Sequence, residues 1–385
     1  MMNKKILILS STYGDGHKQV ANAISEAINL SFSEYEPIIL NVMEIIHPHS
    51  HQISHFLYMQ GIKKFPQVYG YLYKKTYQIN TFSKMLNTVL LMGINSILQI
   101  LHEEKPAIVV STYPFAAGVM SRLKEKGLTE IPTVTVITDY TNHSYWIHPL
   151  TDKYIVGSDH VQNRLIEIGV DPSKIANAGI PIRPRFFQDL SRDFLMEKYA
   201  LKPTIFTLLV MGGGLGLLGK GLSTIRQLES ITIPIQILIL CGHNGKLKKR
   251  LEIYKENSKH DIILLGFTED VNELMMISDL LITKPGGVTI TEAISMELPL
   301  LIHYSLPGQE EENATYLIQS GVAMKSENDE DLAVKIQGMI NNPRKLQFFQ
   351  QKEKQLQKKN SLLETIEVIQ DILMNQWNQT EGLLA

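Results

Sequence analysis

Gly14-Asp15-Gly16-His17 follows the first apolar run and ends in an imidazole. Imidazole can take a proton from a hydroxyl near neutral pH. A loop histidine is more often structural than catalytic. The carboxyl end of a first strand is, however, where ligands meet an open α/β sheet. A second cluster runs Thr283-Lys284-Pro285-Gly286-Gly287-Val288-Thr289-Ile290-Thr291-Glu292. It reads as a strand end, a Gly-Gly turn and a helix carrying a carboxylate in its first turns. Such a turn presents amides to a pyrophosphate, and Glu292 could accept both hydroxyls of a ribose. The structural alternative is an acid that complements the helix dipole. One strand later comes Pro307-Gly308-Gln309-Glu310-Glu311-Glu312-Asn313. This is either an ordinary acidic helix start or, through Gln309 and Glu310, a pair able to hydrogen-bond sugar hydroxyls. Gly212-Gly213-Gly214 and Gly216 form a fourth cluster between a strand and a helix. Glycine allows close backbone approach to a phosphate, though a tight turn explains the same residues.

Other signals point away from chemistry. Asp329-Glu330-Asp331 resembles a metal-binding acidic triplet but reads better as the charged start of a helix. Histidines 47, 49, 51 and 55 have no carboxylate or cysteine among them, so no metal site is expected. Cys241, the single cysteine, excludes a disulfide framework and reads as buried and inert.

These residues need a scaffold, and the pattern supplies one. Short apolar runs alternate with helical periods: Lys5–Ser10, Ile38–Val42, Ala107–Ser111, Thr133–Thr138 and Lys153–Val156, then Thr204–Met211, Ile235–Cys241, Ile262–Leu265, Leu280–Thr283 and Leu300–Ile302. The alternation predicts α/β architecture with parallel sheets covered on both faces. A chain of 385 residues with 44% apolar content suits two such domains. The pattern breaks near Gly179–Asp189, which predicts domains at 1–185 and 186–360, with a helix at 361–385. The net charge of −2 gives no footing for bulk nucleic-acid binding. The apolar stretch Met85–Leu101 is interrupted by Asn87, Asn95 and Gln99, so no membrane span is expected.

Between Glu44 and Glu103 there is no acidic residue, five lysines and eight aromatics. Phe56, Tyr58, Lys63, Lys64, Phe65, Tyr69, Lys74 and Lys75 are the residues of interest. Lysine with Tyr and Phe, without acids, suits contact with an anionic membrane surface. A helical insertion packed on its domain explains the composition equally well, and one helix can do both.

Taken together these motifs resemble the glycosyltransferase branch of monogalactosyldiacylglycerol synthases and processive diacylglycerol beta-glucosyltransferases. The likeness runs from about Lys4 to Lys325. It is carried by Gly14–His17, the Thr138-Asp139 pair with Trp146 after it, Gly179-Ile180-Pro181, Lys284–Glu292 and Pro307–Asn313. The resemblance implies the GT-B fold, two Rossmann-like domains facing an interdomain cleft. It implies inverting, metal-independent hexose transfer from UDP-glucose or UDP-galactose to diacylglycerol or a glycosyl-diacylglycerol, without a cofactor. The place would be the cytoplasmic face of the cell membrane. By position, His17 matches the general base, Glu292 the ribose acid, and Gln309 and Glu310 the sugar contacts. Gly213, Gly214, Gly286 and Gly287 match phosphate-side loops. Asp139 either orients His17 or is an alternative base, and Trp146 helps shape the acceptor region. A polyprenyl-linked acceptor, a UDP-sugar 2-epimerase and a non-catalytic sensor are the alternatives.

Overall fold

The computed structural model describes residues 4–48, 60–61, 64–77, 94–214, 216 and 221–382, with side chains described to residue 375. The chain divides into two units. One comprises Met1–Pro184, Pro307–Gln309 and Lys358–Ala385; the other Arg185–Leu306 and Glu310–Gln357.

The first unit contains β1 (Lys4–Ser10), α1 (Asp15–Ser31), β2 (Tyr35–Asn41), α2 (Val42–Ile46), α3 (Pro66–Thr76), α4 (Ile94–Glu104), β3 (Ile108–Ser111), α5 (Pro114–Glu125), β4 (Thr133–Val136), β5 (Lys153–Ile155), α6 (Asp159–Glu167) and β6 (Ile175–Ala176). All strand pairs are parallel, in the order β2-β1-β3-β4-β5-β6. Residues Ile6 to Leu9 are fully buried on both faces of the sheet, as an unbroken aliphatic run in a parallel sheet requires. Leu7, Leu9 and Val109 pack against Ile97 and Leu101 of α4 and Val119, Met120 and Leu123 of α5. The connection from β1 leads to β2 on one side, while β3 lies on the other. A crevice therefore opens at the carboxyl ends of β1 and β3.

The second unit contains α7 (Arg192–Lys198), β7 (Phe206–Met211), α8 (Leu222–Gln227), β8 (Ile235–Leu240), α9 (Gly245–Lys255), β9 (Asp261–Leu265), α10 (Val271–Met276), β10 (Leu280–Thr283), α11 (Gly287–Ser295), β11 (Leu300–His303), α12 (Gln309–Gln319), β12 (Ala323–Ser326), α13 (Asp329–Ile340) and α14 (Pro343–Leu356). Its strand order, β12-β11-β10-β7-β8-β9, is that of the Rossmann fold. Here the switch point lies between β7 and β10. Met211 pairs with Thr283, so the turns after these two strands leave the sheet level with one another.

The last helix, α15 (Ser361–Gly382), belongs to the first unit and packs on α1. No helix of the described residues is long and apolar enough to cross a membrane.

Candidate functional site

In the first unit Gly14 caps α1 at φ 121°, a left-handed conformation that favours glycine. The turn sets His17 in the first turn of α1, at the β1/β3 crevice. Thr112 Oγ1 donates to the His17 carbonyl at 3.1 Å, tying the helix start to the end of β3. The imidazole Nδ1 lies 3.0 Å from Thr138 Oγ1. Tyr113 meets the ring edge-on at 5.1 Å, and Trp146 lies at 6.0 Å. Burial lowers the imidazole pKa to about 4, against a smaller upward push from the Thr112 backbone. His17 is therefore neutral at pH 7. A neutral imidazole keeps a lone pair on one ring nitrogen that can accept a proton.

Thr138, one residue before Asp139, has its hydroxyl against His17 Nδ1; Asp139 is buried and partnered. Trp146 is 3% exposed and sits in a core cluster with Ile137, Tyr154, Val161 and Leu165. It lies beside the His17 ring.

Helix α3 has two unlike faces. Tyr73 Oη bonds Thr141 Oγ1 at 3.2 Å, and Tyr77 Oη donates to Asn142 Oδ1 at 2.7 Å. His143 Nε2 donates to the Tyr73 carbonyl at 3.0 Å, while its Nδ1 accepts from Tyr145 N–H at 3.2 Å. These bonds need a neutral ring, and burial duly lowers its pKa to about 4. The opposite face exposes Phe65, Val68, Tyr71 and Leu72 beside Lys74 and Lys75, with Lys64 just ahead of the helix. Tyr69 faces inward, its Oη donating to Gln309 Oε1 at 3.4 Å within the first unit. Phe56, Tyr58 and Lys63 lie outside the described residues.

The second unit gathers its candidates at the β7/β10 switch point. Gly213 has φ 71° and Gly216 φ 59°. A Cβ on Gly216 would stand 2.4 Å from the Cys241 carbonyl oxygen, so this turn must be glycine to pack on the neighbouring one. The Gly216 N–H is spent on the Gly213 carbonyl at 2.8 Å. Gly286 N–H is likewise spent on the Lys284 carbonyl at 2.9 Å. The amides of Gly287, Val288 and Thr289 precede the internal bonding of α11. Asn313 Nδ2 donates to the Pro285 carbonyl at 3.0 Å and fixes the turn. Glu292 lies in the second turn of α11, partly exposed.

Gln309 and Glu310 open helix α12 rather than preceding it. Glu310 is 5% exposed, with Oε1 paired to Lys284 Nζ at 2.5 Å and Oε2 accepting from Leu306 N–H at 2.9 Å. Sequence reading overlooked this lysine, although it stands in the quoted motif. Its partner lies 26 residues away, beyond any local pattern.

The remaining signals have structural roles. Asn328 caps α13, Asp331 pairs with Lys335, and Asp329 accepts from Thr224 Oγ1 at 2.9 Å. Cys241 is buried, and burial raises its thiol pKa. No group of three or more potential metal ligands occurs among the described residues; histidines 49, 51 and 55 lie outside them.

Comparison with known proteins covers both units. Residues 17–182 match the family described as monogalactosyldiacylglycerol (MGDG) synthase. Residues 221–358 match glycosyl transferases group 1. Processive diacylglycerol beta-glucosyltransferase of Bacillus pumilus is 32% identical over 379 residues, covering 97% of each chain. The protein of that name from Bacillus subtilis is 31% identical over 96% of this chain and 95% of its own. Among solved structures, Acinetobacter baumannii MurG superposes with a TM-score of 0.63 at 16% identity, over 96% of this chain and 99% of its own. A Staphylococcus aureus MnaA–UDP structure gives 0.62 at 15% identity, over 95% and 96%. At these identities the structural likenesses establish the fold, which is GT-B-like.

Proposed function

The chain belongs to the family of processive diacylglycerol beta-glucosyltransferases, and on that premise we propose that it moves glucose or galactose from a UDP-sugar to diacylglycerol or a glycosyl-diacylglycerol, with inversion. It is a hexose-transferring glycosyltransferase; donor, acceptor and place are the proposed part. The observation that carries the mechanism is His17, a neutral imidazole at a switch point, with Nδ1 3.0 Å from Thr138 Oγ1.

The acceptor hydroxyl attacks the anomeric carbon from the side opposite UDP. The bond to the diphosphate oxygen breaks, UDP departs with the electron pair, and the acceptor proton passes to the His17 imidazole. The amides of Gly287, Val288 and Thr289 at the start of α11, with the helix dipole behind them, suit the charge that gathers on UDP. Glu292 is the ribose acceptor in this reading, and Gln309 and Glu310 serve the sugar. Asp139, next to Thr138 in the chain and buried, either orients the base or is an alternative one. No resident cofactor takes part. The exposed aromatic and lysine face of α3 supports action at an anionic membrane surface, on its cytoplasmic side.

The test is incubation with anionic liposomes containing diacylglycerol and either UDP-glucose or UDP-galactose, followed by lipid analysis. A β-linked glycosyl-diacylglycerol is expected from the wild-type protein. His17→Ala should make none while binding UDP normally. Turnover by that variant removes His17 as the base, and label appearing only in an added polyprenyl lipid removes diacylglycerol as the acceptor.

A further inference from the structure

We propose that Lys284 is the cation that receives the diphosphate, and that its transfer from Glu310 to the phosphate releases the Glu310 carboxylate to the donor sugar. This rests on the donor site proposed above and assigns it a working part.

Position is the first argument. Lys284 is the first residue after β10, and Gly213 lies just beyond β7, the strand that β10 pairs with at the switch point. The two turns touch. A Cβ on Gly213 would stand 2.9 Å from Lys284 Cε and 3.8 Å from Nζ. The lysine stem therefore lies across the glycine turn. The glycine is needed there twice, for its φ of 71° and for the room it leaves.

Chemistry is the second. The Lys284 side chain is 22% exposed and that of Glu310 only 6%. A carboxylate so deeply placed has to be paired, and both its oxygens are occupied, one by Nζ and one by the Leu306 amide. In this state its Oε1 is engaged by the lysine. A diphosphate held by the Gly287 and Val288 amides offers Nζ a more highly charged partner at the same switch point. Exchanging one anion for another keeps the lysine paired, whereas simply breaking the bridge would strand a buried charge. The released Oε1 then accepts from sugar hydroxyls while the Leu306 amide still holds Oε2. Sugar contact is thus coupled to the arrival of the phosphates.

The test compares binding of UDP, UMP and uridine to the wild type, Lys284→Met, Lys284→Arg and Glu310→Gln by calorimetry, with steady-state kinetics alongside. Lys284→Met should lose at least about tenfold in UDP affinity and in the UDP-to-UMP ratio, with uridine binding unchanged. Its kcat should fall about 10²–10³-fold, as when one preorganised stabiliser of developing charge is removed. Lys284→Arg should restore most of the UDP-to-UMP ratio. Glu310→Gln leaves Lys284 charged and unpaired, so it should bind UDP at least as tightly as wild type while losing the extra affinity for UDP-sugar. An unchanged UDP-to-UMP ratio in Lys284→Met, or an equal loss for uridine, overturns the proposal. Should that variant not fold, weaker UDP binding by Glu310→Gln overturns it instead. A wild-type protein that does not bind UDP overturns the donor site and this proposal together. One that binds UDP but leaves diacylglycerol untouched removes only the acceptor.

Discussion

Burial makes His17 a histidine that stays neutral. Its pKa is about 4 in the fold against 6.5 in the free side chain, and that of His143 is lowered equally far. Between those values the unfolded chain binds more protons than the folded one, so stability of the first unit rises with pH there. It falls as acid is added from pH 6.5 downward, and hydrogen exchange of the first unit measured from pH 7 to pH 5 should show protection declining. Activity has a different limb. A base that is neutral down to about pH 5 gives a kcat/KM profile flat from there to neutrality, provided the protein stays folded. An acid limb centred near 6.5 would mean that the titrating group is not the buried imidazole. Thr138→Val removes the one side chain that bonds Nδ1. Loss of that alignment should lower kcat by about 10²-fold with UDP affinity unchanged; an unaltered kcat would show that the ring is held by Tyr113 and Trp146 alone.

At the scale of elements, α3 resolves two readings of one composition. Gly70, Tyr73 and Thr76 are buried at helical spacing, and Phe65, Val68, Tyr71 and Leu72 are exposed on the other side. Both a packed insertion and a membrane-facing helix are thus consistent with this segment. Replacing Lys64, Lys74 and Lys75 by Gln should weaken binding to anionic vesicles by about 1 kcal/mol each at low salt. UDP affinity should not move, and vesicle binding that ignores these charges would exclude α3 as the contact. The strands that sequence reading found are those with consecutive Ile, Leu or Val, which a doubly covered parallel sheet demands. It missed β6, which has two residues, and β12, Ala-Met-Lys-Ser, a short edge strand with no β-branched side chain. Gly14 caps α1, and Glu310, Glu311 and Glu312 fill the first turn of α12, where acids meet the positive end of the helix dipole. The Thr138–His17 bond spans 121 positions and Lys284–Glu310 spans 26, so neither leaves a periodic trace. Local spacing carries the frame of a site, and only the fold brings such partners together.

For the whole molecule, the chain's course through its two units has an energetic consequence. After α14 the chain leaves the second unit, and α15 completes the first. Leu362, Ile366, Ile369 and Leu373 recur at helical spacing, all buried, and α15 packs on α1, the helix that carries His17. Gly179 makes room for the entry to this helix: a Cβ there would meet Lys358 Cβ at 2.7 Å and Ser361 Cβ at 2.9 Å. Burying four aliphatic side chains contributes on the order of 1.5–3 kcal/mol each. That sum is comparable to the whole net stability of a domain, about 5–15 kcal/mol. A chain ending at Gln357 should therefore lose the first unit cooperatively, with amide protection gone from β1 to β6. The second unit has a hydrophobic core of its own, so protection from β7 to β12 and the affinity for UDP should survive, while transfer is lost. Full protection of β1 in the truncated chain would mean that α15 merely rests on α1. Loss of UDP binding would mean that the second unit cannot stand without its partner.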